Sequence, residues 1–140
     1  MASKHPGYAL IMIIIISSLL LTLAGLFTKL VYNSLAGGNA VYLSAQAFYL
    51  AEAGIEKGKA ELANNSNWYT DLPHGTEDDS DWLINSAIGQ TNNLGGGTFK
   101  IIREQGKMLL CAVGSKGKGV CIQKVKFSIA PLRILNWGKI

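Results

Sequence analysis

Residues Tyr8 to Thr28 read YALIMIIIISSLLLTLAGLFT, twenty-one positions without a charged side chain. At a rise of 1.5 Å per residue a helix of that length covers about 30 Å, the thickness of a bilayer's hydrocarbon core. A cleaved secretory signal has a shorter apolar region of about 7 to 15 residues and ends on an Ala-x-Ala-like site, so this run is expected to be retained as a transmembrane helix. Lys4 precedes the run and favours a cytoplasmic N-terminus, although Lys29 stands on the far side. The bulk of the chain then belongs outside the cytoplasm.

Immediately upstream, Pro6 and Gly7 are expected to interrupt the helix and leave an accessible backbone suited to a protease. Within the run, Ser17, Ser18, Thr22, Ala24 and Gly25 are small or hydroxylated. Such residues either permit close contact between membrane helices or bond back to their own helix.

Downstream, helix-favouring sequence resumes at Asn39 and reaches about Ala63, with Gly37-Gly38 expected to mark a kink or a melted stretch. Ser44, Phe48, Ala51, Ile55, Gly58 and Leu62 follow spacings of 4, 3, 4, 3 and 4, which places them on one stripe that something can approach closely. Glu52, Glu56, Glu61, Lys57 and Lys59 fall on other faces and are expected in solvent.

Charge is distributed unevenly along the chain. From Lys29 to Gly97 there are eight acids and three bases, a balance of minus five. From Thr98 to Ile140 there are nine bases and one acid, a balance of plus eight. The basic half could contact DNA or an anionic surface through Lys100, Arg103, Lys116, Lys118, Lys124 and Lys126, with Phe99 and Phe127 available for stacking. No defined nucleic-acid-binding motif accompanies these residues, and pairing of the two halves, within a chain or between copies, is the preferred reading.

Asn64 to Gly97 is rich in Asn, Ser, Thr, Asp and Gly and reads as irregular, with Trp68, Tyr69 and Trp82 as anchors. Asp79, Ser80 and Asp81 stand where they can cap a short helix through WLINSAI. Glu77, Asp78, Asp79 and Asp81 could gather around calcium, but their spacing is not that of an EF-hand loop, so capping is preferred and no metal or cofactor is expected. The runs FKIIRE (Phe99 to Glu104), MLLCAVG (Met108 to Gly114) and VCIQKVKFSIA (Val120 to Ala130) alternate with turn-formers and predict an antiparallel meander. Pro131 ends the third run, and Leu132 to Trp137 can add an edge strand. The fold class expected is α+β, a long N-terminal transmembrane helix packed on a small antiparallel sheet.

Cys111 and Cys121 flank a glycine- and lysine-rich turn. In a small domain outside the cytoplasm a disulfide across that hairpin is expected, the alternative being two buried thiols. Gly95-Gly96-Gly97 lacks the Lys and Ser or Thr of a phosphate loop and reads as a flexible approach to the first strand. With His5 and His74 as the only histidines, no catalytic triad can be assembled, and the chain is not expected to be an enzyme.

A short leader ending in Gly7, the apolar run GYALIMIIIISSLLLTLAGLF, and AQAFYLAEAGIEKGKAEL at Ala45 to Leu62 together resemble the N-terminal region of type IV minor pilins of the PilX kind and related pseudopilins. The resemblance covers about the first 62 residues. It implies a pilin-like fold divided into a leader (1–7), a transmembrane part of the helix (8–28), an exported part (29–63), and an exported loop region and sheet (64–140). It also implies removal of residues up to Gly7 by a prepilin peptidase, methylation of the new terminus at Tyr8, and packing of the N-terminal helices in a filament core. Met12, Gly25, Phe48, Ala51 and Ile55 are the helix residues expected to serve assembly. Most major pilins carry Phe and Glu at the first and fifth mature positions, where this chain has Tyr8 and Met12. A carboxylate there can neutralise a neighbour's amino terminus in an apolar core, so its replacement points to a minor or initiating subunit. The implied partners are other pilin or pseudopilin subunits, the peptidase, an inner-membrane assembly platform and membrane lipid. The implied location is the inner membrane and then a periplasmic or cell-surface filament. A membrane-anchored module whose basic sheet binds DNA or an anionic surface is the alternative.

Overall fold

A computed structural model describes residues 6–74, 79–129 and 132–139. Glu77, Asp78, Ala130, Pro131 and most of the leader, including Lys4 and His5, lie outside the described residues. The element order is α1 (Pro6–Asn64), a short π-helical turn (Trp82–Ser86), β1 (Gln90–Leu94), β2 (Gly97–Ile102), β3 (Leu109–Lys116), β4 (Gly119–Ile129) and β5 (Leu132–Lys139). The layout is α+β, with one long helix and one five-stranded sheet. The chain divides into two compact units, Met1–Asn39 and Ala40–Ile140.

In the first unit, α1 is the one helix among the described residues long and apolar enough to cross a membrane, and none of its apolar window is buried within the chain. Pro6 opens the helix rather than preceding it, and Gly7 lies in its first turn. A proline is tolerated there because the first amide groups of a helix have no partner within it. The hydroxyls of Ser18, Thr22 and Thr28 donate to the carbonyls of Ile15, Leu19 and Ala24 at 2.8 to 2.9 Å, so these three side chains bond back to their own helix.

Gly37 and Gly38 do not break α1, contrary to the sequence expectation. Each glycine costs about 1 kcal/mol in a helix interior, a penalty that a helix of 59 residues absorbs.

The second unit is an antiparallel meander in the order β1-β2-β3-β4-β5, with the later part of α1 against one face. β1 was not foreseen within the polar segment QTNNL. It pairs with β2 from Gln90↔Ile101 to Leu94↔Gly97. The two-residue turn uses Gly95 and Gly96, both at positive φ (57° and 71°), the combination that matches the twist of a tight hairpin. Leu50, Ala51, Ile55 and Leu62 of α1 pack with Phe99, Ile101, Leu110, Ala112, Val125 and Phe127. On the opposite face Leu83 and Ala87 cover Ile102, Leu109, Cys111, Val113 and Ile122, with Trp82 and Ile84 alongside.

The packed helix stripe is Ala47, Leu50, Ala51, Gly54, Ile55, Gly58 and Leu62, so Ser44 is exposed and Phe48 half-buried where both were placed on it. Glycines set the closeness of this contact. A β-carbon on Gly54 would stand 2.9 Å from that of Ala112, and one on Gly58 would stand 2.8 Å from a methyl of Leu110. On the sheet, a β-carbon at Gly114 would run into the carbonyl oxygen of Ala47 and the amide of Ala51, and one at Gly119 would stand 2.6 Å from the Leu43 oxygen. Gln123 is fully buried at the same interface, where its Nε2 donates to the Phe48 carbonyl at 3.4 Å and its Oε1 accepts no hydrogen bond.

Gly114→Ala is expected to destabilise the Ala40–Ile140 unit by about 3 kcal/mol, because the obstructing atoms are backbone and cannot rotate away. Denaturant unfolding of the full chain in detergent, followed by tryptophan fluorescence, measures this; an unchanged midpoint refutes the packing.

Candidate functional site

Of the residues singled out for assembly Phe48 is half-buried, and the other four separate into two groups. Met12 and Gly25 are exposed on the apolar run. Ala51 and Ile55 have no exposed surface and belong to the core of their own chain, so they cannot meet a partner. This corrects the expectation that they serve assembly directly; their small and branched side chains fit the sheet.

The basic residues are likewise divided. The Lys100 ammonium donates to the carbonyls of Ile84 (2.9 Å) and Ala87 (3.0 Å), which ties the π-helical turn to β2. Burial lowers its pKa, and the nearby Asp71 carboxylate opposes that shift. Arg103 is 4% exposed and donates through Nη1 to the carbonyls of Ser66 (3.0 Å) and Trp68 and through Nε to that of Lys107 (3.4 Å). Its guanidinium stands 5.3 Å from the centre of the Phe127 ring, and burial lowers its pKa too. Arg103 is withdrawn from any external phosphate, which corrects its assignment to an anion-binding face, and the half-buried Lys100 ammonium is engaged by two carbonyls of its own chain. Lys116 donates to the Gly95 carbonyl at 2.6 Å, joining two neighbouring hairpin turns. Lys118 and Lys126 are exposed and Lys124 is half-buried.

Around Arg103 lies a polar clasp that sequence reading did not find. Thr70 and Asp71 donate their backbone N–H groups to the Arg103 carbonyl (2.9 and 3.1 Å), and Gln105 donates its own to the Asp71 carbonyl (2.9 Å). The buried Asp71 carboxylate accepts from the amides of Ile88 (2.7 Å) and Gly89 (3.0 Å) and from the Thr70 hydroxyl (2.6 Å). Glu104 accepts from the His74 amide (2.7 Å) and pairs with Lys107 (2.9 Å). The His74 ring stacks on Trp82, centroids 4.4 Å apart and planes 5° from parallel, which makes this histidine a loop anchor. Trp68 and Trp82 anchor the loops as expected, whereas Tyr69 is exposed. The Asp79 carboxylate accepts from the Trp82 amide at 2.9 Å, in keeping with the capping reading. The adjacent Arg103-Glu104 at a strand end was the available signal for the clasp, but apart from Lys107 its partners lie thirty or more positions upstream.

The cysteines do not form the expected bridge. Cys111 pairs with Lys124 and Cys121 with Gly114, three ladder positions apart. Side chains alternate across a strand, so Cys111 joins the cluster under the π-helical turn while Cys121 stands on the face that meets α1. Both thiols are buried, and no disulfide joins them.

Recesses flank the helix and the sheet. One of about 220 Å³ lies among Gln46, Tyr49, Leu50, Leu94, Gly95 and Lys116. A second, of about 210 Å³, is on the far face and is lined by Thr91, Thr98, Lys100 and Ser115 together with the apolar Ile84, Val113 and Val120. A third, of about 80 Å³, is mainly apolar and is lined by Leu62, Leu110, Val125, Phe127 and Ile134 together with Lys59 and Arg133. No protein-family model, curated protein or solved structure matches this chain.

Two tests follow from this geometry. Alkylation of the denatured chain without prior reduction is expected to add two labels, while the folded chain reacts slowly because Cys111 and Cys121 are 4% and 5% exposed; absence of label before reduction refutes the separation of the thiols. Arg103→Lys removes the planar donor fork and leaves buried carbonyls without a donor, so it is expected to cost about 3 kcal/mol and to speed proteolysis of residues 65–74. An unchanged cleavage rate would show that the clasp does not hold that loop.

Proposed function

We propose that the chain is a minor pilin or pseudopilin, a structural subunit that primes, caps or modifies a type IV pilus-like or secretion filament. The observation that carries this reading is the single α1, whose charge-free first part buries nothing within the chain while its later part packs on one face of the sheet and forms its main core. Apolar surface of that extent requires lipid or other apolar helices around it. The likeness of GYALIMIIIISSLL and AFYLAEAGIEKG to the pilin N-terminal region names the kind of assembly.

In this reading the protein starts in the inner membrane with its N-terminus in the cytoplasm and its sheet outside. A prepilin peptidase cuts after Gly7, and Tyr8 becomes the methylated terminus. Helix α1 then moves from lipid into contact with other pilin or pseudopilin subunits on an inner-membrane assembly platform. Met12 supplies no carboxylate to a neighbour's amino terminus, which favours an initiating or terminal position over repetition along the core. The protein acts by assembly and not by catalysis.

Intact-mass and N-terminal peptide analysis of protein from its native membrane tests the proposal. The expected chain begins at methylated Tyr8. In Gly7→Leu the seven-residue leader is expected to remain, with the unfolding midpoint of the sheet domain unchanged, because nothing lies within 4 Å of a β-carbon at that position. A wild-type chain that retains Lys4 and His5 refutes the proposal.

A further inference from the structure

Within the Ala40–Ile140 unit two surfaces of different character are largely exposed among the described residues. The first is the face of α1 turned from the sheet, where Tyr42, Ala45, Tyr49, Glu52 and Glu56 follow spacings of 3, 4, 3 and 4. Tyr42 and Tyr49 are 62% and 67% exposed. The second surface is the β5 margin. β5 pairs with β4 along one side only, and residues 133–138 are all exposed. Ile134, Leu135 and Trp137 stand 40%, 68% and 41% exposed. A register irregularity opposite Lys126 and Phe127 inserts Leu135 into the strand as an extra residue. The apolar recess of about 80 Å³ opens between this strand and α1.

The charges of these surfaces are opposite. No acidic residue occurs after Glu104, and the β5 margin carries exposed Arg133 and Lys126. The helix face carries Glu52 and Glu56. The ion pairs Lys59–Glu56 and Lys107–Glu104 each join residues three apart, so neither links the helix face to the strand margin.

We propose that the tyrosine- and glutamate-bearing face of α1 in one copy seats on the β5 margin of a second copy, with Tyr49 toward the apolar recess and Glu52 and Glu56 toward Arg133 and Lys126. The inference rests on the filament-subunit reading and specifies the partner and the contact. The two surfaces are unlike, so the contact is heterologous: each copy that accepts a neighbour still presents its other surface, and the arrangement extends as an open stack. Met12 bears on the apolar helix core, whereas this contact lies in the sheet domain, so a short stack of copies is compatible with an initiating role.

The test co-expresses two full-length variants, Tyr49→Cys and Leu135→Cys, in the native membrane and applies a thiol oxidant. The expected product is a mixed dimer that forms only when both variants are present. Adding Glu52→Lys and Glu56→Lys to the first variant is expected to reduce it about tenfold, and adding Arg133→Glu and Lys126→Glu to the second is expected to restore it. A Leu135→Cys homodimer of equal yield means edge-to-edge pairing and overturns the proposal, as does linkage of Tyr49→Cys to a different protein. The N-terminal mass of the same samples separates the two readings. Absence of a mixed dimer from a chain that begins at Tyr8 overturns the contact alone, whereas a mixed dimer whose chains retain Lys4 supports the contact and overturns the pilin reading.

Discussion

The sheet domain depends on how closely α1 approaches it. Gly54 and Gly58 on the helix, and Gly114 and Gly119 on the strands, remove the side chains that would hold the two backbones apart. A helix is about 10 Å across and strands lie about 4.8 Å apart, so one helix can cover three strands. The α1 core residues accordingly meet Phe99 of β2, Leu110 and Ala112 of β3, and Val125 and Phe127 of β4. β1 and β5 extend beyond that cover, which accounts for the recesses on both flanks and for the exposure of β5.

A second helix would be the ordinary cover for the far face of such a sheet. Here the cover is a short π-helical turn and loops, whose backbone polar groups need partners once they are packed down. Lys100 provides a donor to those carbonyls and Asp71 an acceptor for loop amides, while Arg103 serves the carbonyls of the loop that follows α1 on the other face. Charges that look like a ligand-binding patch in the sequence therefore act largely as replacements for regular secondary structure.

The apolar run and the later strands were legible because each rests on a strong local pattern: uninterrupted apolarity in one case, β-branched runs between turn-formers in the other. β1 was hidden because Gln90, Thr91, Asn92 and Asn93 carry no apolar alternation; an edge strand packed on little needs only its ladder and a good turn. The helix stripe was read one row off because 3-and-4 spacings admit several overlapping tracks, and the choice falls to the glycines that let the sheet in. The Cys111–Cys121 expectation treated proximity along a hairpin as proximity in space, whereas an odd offset puts the two side chains on opposite faces. The clasp joins segments far apart in sequence and leaves no local periodicity to read.

Gln123 spends a buried amide on one long bond to the Phe48 carbonyl and leaves its other end unmet, which an apolar residue of similar size would avoid. What the amide supplies is a ruler. Sliding α1 by a single residue along its axis would carry that carbonyl about 1.5 Å away and offer the glutamine a different backbone environment. Leu50, Ile55 and Leu62 hold the helix by apolar packing, which has no directional preference of its own, so the buried amide adds a polar criterion for which of several neighbouring registers the helix adopts.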